Sequence, residues 1–71
     1  MKLLFNDSTY NVKSVDDALD IIDEYCTEYD MNYDDPHDDN GDKVVDLFEI
    51  YVDDEGMPHK TYQLQAVIRD E

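Results

Sequence analysis

The chain has 71 residues, enough for one small domain with a core near the lower limit for independent folding. Twenty Asp and Glu against five Lys and Arg give a formal net charge of −15, which argues against direct binding to nucleic acid or to an anionic membrane. With 41% hydrophobic residues the chain is apolar enough to fold, and residues 1–71 read as a single acidic domain.

Lys2–Phe5 and Thr9–Lys13 have strand character and are separated by the turn-forming set Asn6-Asp7-Ser8. They form either a hairpin or a strand followed by a lead-in to the next element. Tyr10 and Val12 alternate with Asn11 and Lys13, the pattern of a strand with one buried face. The apolar start Leu3–Phe5 is ended by Asn6 and Asp7. No secretory leader or membrane span is therefore predicted, and a cytoplasmic location in a host cell is expected. The single Cys26 excludes an intramolecular disulfide and fits a reducing compartment.

Ser14 is a good helix N-cap, and Asp17 three residues on is placed to reciprocate it. Val15, Ala18, Leu19, Ile22, Tyr25, Cys26 and Tyr29 then recur at helical period as one apolar stripe. Most other positions are acids: Asp16, Asp17, Asp20, Asp23, Glu24, Glu28 and Asp30. Asp16 and Asp17 suit the positive end of the helix dipole, whereas Glu28 and Asp30 sit at the wrong end. Asp16–Asp20 and Asp20–Glu24 are like-charge pairs four residues apart, each costing a few tenths of a kcal/mol. A face selected for stability alone would interleave Lys or Arg, and this one has neither.

Met31 to Asp42 contains Asn32, Pro36, Asn40 and Gly41 and is predicted to be an acidic surface loop without regular structure. Lys43–Val52 is the strongest strand. Both its faces are partly apolar, as in an inner strand. Asp53 to Gly56 supplies a turn, and Lys60–Arg69 returns with Tyr62, Leu64, Ala66 and Ile68 assigned to one buried face. The fold class is α+β: a small antiparallel sheet of three to four strands with one amphipathic helix packed across it, in the order β(β)αββ.

No enzyme motif is present. Placing Gly41 at the sixth position of an EF-hand loop puts Asp38 and Asn40 on ligand positions. It also puts Pro36 and Leu47 on the first and last ligands, which destroys the site. His37 and His59 lack close metal-ligand spacing, so no metal and no cofactor are assigned. Tyr25, Tyr29 and Tyr62 are assigned to the core. What remains is charge geometry. Acids one helical turn apart lie about 6 Å apart along the axis, against one phosphate per about 3.4 Å on each strand of duplex DNA. Asp16, Asp20, Asp23, Glu24 and Glu28, continued by Asp30, Asp34, Asp35, Asp38, Asp39 and Asp42, form the candidate partner-binding row.

In size, acidity and sheet-plus-helix build, the whole chain resembles the small acidic proteins of phages and mobile elements that inhibit host defence, the DNA-mimic anti-CRISPR and anti-restriction proteins. That resemblance implies a non-enzymatic, stoichiometric inhibitor that blocks the DNA-binding or PAM-reading site of a CRISPR-Cas effector or nuclease. The expected partner is a basic nucleic-acid-binding protein, and the chain itself is a monomer or small homo-oligomer. The alternatives are an immunity- or antitoxin-type nuclease inhibitor, and a calcium-responsive module built on residues 34–42.

Overall fold

In the computed structural model, which describes residues 1–70, the chain begins with a β-hairpin. Strand β1 (Lys2–Phe5) pairs antiparallel with β2 (Ser8–Asn11). Asn6 and Asp7 both take positive φ, 52° and 61°, the backbone signature of the tight turn that matches strand twist. Asn and Asp tolerate that region better than other non-glycine residues. Of the predicted alternation only Val12 is buried, and Tyr10 is exposed.

Helix α1 (Val15–Tyr29) starts at Ser14 as the sequence dictates. The Asp17 amide donates to Ser14 Oγ at 3.1 Å, and the Lys13 amide donates to Asp17 Oδ2 at 3.0 Å, so two otherwise unpaired donors are satisfied reciprocally. Ala18, Ile22 and Cys26 are buried among Leu3, Phe5, Val45, Leu47, Ala66 and Ile68. Burying Ile22 alone contributes about 1.5–3 kcal/mol. The stripe is narrower than predicted. Tyr25 packs against the core and meets Phe5 edge-on at 4.9 Å, whereas Tyr29 stays 56% exposed and leans on Tyr25.

The helix ends at Asp30, which is left-handed at φ 55°, with the amides of Asp30 and Met31 both donating to the Cys26 carbonyl. A carboxylate here suffers both the left-handed backbone and the negative end of the helix dipole. Asp30→Gly is therefore expected to raise stability by about 1 kcal/mol, read as a rise in Tm of about 4–8 °C.

After the helix come β3 (Asn32–Tyr33), β4 (His37–Asp39), β5 (Asp42–Val52) and β6 (Pro58–Arg69). The described residues form one six-stranded sheet in the order β2-β1-β6-β5-β3, with β4 also pairing β5 and every pairing antiparallel. This corrects the expectation of three to four strands. The acidic segment is not an irregular loop, because β3 and β4 use the otherwise unpaired edge of β5. The turn between β4 and β5 is Asn40-Gly41, with φ of 52° and 89°, a hairpin signal that outweighs the poor strand propensity of His37-Asp38-Asp39.

The pairing of β5 with β6 carries a second correction. Leu47 faces Leu64 but Phe48 faces Tyr62, so Gln63 is an extra residue, a β-bulge. The bulge reverses the alternation of β6. Leu64, Ala66 and Ile68 point to the helix side, while Tyr62 joins Phe48 on the outer face and is 56% exposed. Beyond the bulge the two strands run on as an exposed arm to the turn at Asp53–Met57.

Asp53 organises that turn. Its Oδ1 accepts from the amides of Glu55 and Met57 at 2.9 Å each, and its Oδ2 lies 2.6 Å from His59 Nε2. The His59 bond, then the turn amides, hold the Asp53 carboxyl below its ordinary pKa. A carboxylate with a depressed folded-state pKa contributes stability above its unfolded value of about 3.9 and loses that contribution as pH falls through the lower folded value. The protection of the Glu55 and Met57 amides against exchange, relative to the free-chain rate at the same pH, is expected to fall in that acid window, and Asp53→Ala is expected to show the low protection already at neutral pH.

Candidate functional site

Two elements carry the candidate acids, and the structure treats them differently. Along α1, the apolar stripe fixes which face is buried, so Asp16, Asp20, Asp23, Glu24 and Glu28 are left exposed on the opposite side. Among the described residues, none of these five lies within ion-pair distance of a Lys, Arg or His. The helix has no basic residue in its last turn either. The face is therefore a run of uncompensated negative charge on a rigid rod.

The acids of residues 34–42 are mostly engaged. Asp34 lies on the outer face of the sheet, where the Tyr62 hydroxyl donates to it at 3.0 Å and Lys60 Nζ stands at 3.4 Å. Asp38 pairs with Lys43 at 2.6 Å, and that contact lowers its pKa. Asp42 receives Arg69 through Nε and Nη2 at 3.4 and 3.3 Å. Asp39 is exposed and sits across the strand pair from Asp42. The row thus does not run unbroken from the helix into the β4–β5 hairpin. The described bases that form ion pairs pair with sheet or turn acids, never with helix acids.

Tyr33, partly buried against the core, stands beside Asp23, Asp30 and Asp35. A groove of about 350 Å³ runs beside the C-terminal half of α1, between Asp23, Cys26, Thr27 and Asp30 on one side and Asn32 and Tyr33 on the other. Burial raises the pKa of the Tyr33 hydroxyl, and the negative field of Asp23, then of Cys26, Asp20 and Asp35, raises it further. Tyr33 therefore remains a neutral phenol in an acidic slot. No pattern marks this residue in the sequence, because its position depends on β3 pairing with Leu47 and Phe48.

For chemistry, the site offers charge and shape. Burial, with help from Asp23, pushes the Cys26 thiol above its ordinary pKa, the opposite of an activated nucleophile. Among the described residues no group of three or more His, Cys, Asp or Glu is arranged to hold a metal ion. No helix among them is long and apolar enough to cross a membrane. The groove, rimmed by two carboxylates and walled by a phenol, suits the head and stem of an incoming Arg or Lys. Comparisons with family models, curated proteins and solved structures gave no match to this chain.

Proposed function

We propose that the protein is a non-enzymatic, stoichiometric inhibitor that presents the acidic face of α1 to the DNA-binding surface of a CRISPR-Cas effector or nuclease. The observation that carries this is the segregation of charge. Asp16, Asp20, Asp23, Glu24 and Glu28 stand exposed and unpaired, while Lys43, Lys60 and Arg69 are committed to acids of the sheet.

The helix tolerates its own like-charge repulsion with no local compensation, and a face selected for folding alone would relieve it. A basic partner supplies the missing cations. Its Lys and Arg would otherwise hold phosphates, and with the inhibitor bound they are occupied without nucleic acid. The groove at Asp23, Asp30 and Tyr33 adds a place where one side chain is gripped rather than merely attracted. Asp34, Asp38 and Asp42 contribute less, because their charge is already offset within the molecule.

The test is a titration of a basic nuclease or Cas effector with labelled duplex DNA and increasing inhibitor. DNA is expected to be released at one inhibitor per binding site. The inhibition is expected to weaken as salt rises from about 0.1 to 0.5 M, where the Debye length falls from about 10 Å to a few ångströms. Ternary complexes that retain DNA would rule out site blocking.

A further inference from the structure

The sheet has two faces, and the helix packs on only one of them. Helix α1 closes the face carrying Leu3, Val45, Leu47, Ala66 and Ile68. On the opposite face, strand alternation and the bulge at Gln63 bring together Val44, Phe48, Ile50, Val52, Tyr62 and Val67. Ile50, Val52 and Tyr62 are 52%, 65% and 56% exposed. Val44 and Phe48 are closed off at 3% and 5% exposure, Phe48 beneath Lys60 and Tyr62, so the open apolar surface is that of Ile50, Val52 and Tyr62. An isolated two-stranded ribbon is marginal in water, and contiguous exposed apolar surface of this kind marks an association site.

We infer that this outer face is where two copies of the chain pack together, sheet against sheet. Charge distribution selects a second copy as the occupant. On this face Asp34 is balanced by Lys60 and Asp42 by Arg69, Asp46 takes a neutral bond from Gln65 at 3.0 Å with His37 at 3.9 Å, and exposed Asp39 is set against Lys2, so the formal sum is about −1. Lys60 also lies over the Phe48 ring, 4.5 Å from its centroid. The face is near neutral in a chain of net charge −15, so a copy of itself meets no wall of like charge there.

Geometry completes the argument. Stacked sheets lie about 10 Å apart, and a helix layer adds about 10 Å on each side, so the two acidic helices end up about 30 Å apart. That is several Debye lengths at physiological salt, where the Debye length is about 8 Å. The sheet is four or more strands wide only at the hairpin end and two along the arm, so the face offers roughly 550 Å² per copy, the size of a weak interface rather than the about 800 Å² per partner of a standard one. In such a dimer both acidic faces point outward and remain available.

Sedimentation velocity on the isolated protein tests this from about 10 μM to about 1 mM. The expected result is a species of twice the chain mass whose fraction rises with salt, because salt screens the residual repulsion and leaves the apolar contact intact. Ile50→Thr with Val52→Thr, which keeps β-branched strand formers, is expected to raise the dimer dissociation constant at least about tenfold with an unchanged circular dichroism spectrum. Asp20→Lys with Glu24→Lys is expected to leave the dimer in place. A monomer at every concentration and salt overturns the inference. So does a monomer whose Ile50/Val52 variant loses affinity for a DNA-binding target, which would give the face to that target. The salt response of the unmodified protein decides the matter even if the variant fails to fold.

Discussion

Leu47→Ala is expected to lower Tm by at least about 8 °C and to raise the unfolded fraction at 37 °C at least about tenfold. Leu47 is fully buried at the junction of the structure, facing Leu64 on β6 and Tyr33 on β3. Its side chain belongs to the same cluster as Ile22 and Cys26 of the helix. Truncating such a leucine costs about 2–5 kcal/mol, from lost transfer energy plus the cavity left behind. A domain of this length has about 4–11 kcal/mol in total, so one methyl-bearing branch is a large share. Met57→Ala is the control. Met57 is 57% exposed in the turn of the arm, and its loss is expected to cost under about 1 kcal/mol. Thermal melts followed by circular dichroism separate the two. Equal Tm values would mean that the helix and sheet do not share one core.

Much of this architecture was legible from residue chemistry. Ser14 and Asp17 announced the helix start, the stripe through Ala18, Ile22 and Cys26 announced its buried face, and the β5 sequence announced an inner strand with two apolar sides. Strands β3 and β4 were not legible from propensity, because acids rarely favour strands and these are held by hydrogen bonds to the edge of β5. The Asn40-Gly41 pair was the available signal. The bulge at Gln63 had no compositional mark, yet it decides that Tyr62 faces outward. The exposed acids of α1 could be read from period alone. Which other acids were neutralised could not, since Asp34 meets Lys60 across 26 residues of sequence and Asp42 meets Arg69 across 27.

Asp20→Lys combined with Glu24→Lys is expected to move stability and function in opposite directions. On the helix, Asp20 sits four residues from both Asp16 and Glu24, and Glu24 four from Glu28. The first substitution turns the repulsion with Asp16 into attraction, and the second does the same with Glu28. The two substituted positions remain like-charged toward each other. The gain is about 1 kcal/mol, seen as a Tm rise of about 4–8 °C. Toward a basic partner the same change removes two attractions and adds two repulsions. Affinity for the DNA-binding target is expected to fall at least about a hundredfold, mostly at low salt. A more stable protein that no longer inhibits would identify the acids as functional. A more stable protein that still inhibits equally well would remove the helix from the interface.

The most direct measurement immobilises the protein, passes a bacterial lysate over it at low salt, and elutes with duplex DNA alongside an Asp20→Lys/Glu24→Lys column. An acidic face that occupies a nucleic-acid site predicts that DNA releases a DNA-binding protein from the first column and nothing comparable from the second. A captured protein that DNA fails to displace, or equal capture on both columns, would contradict it.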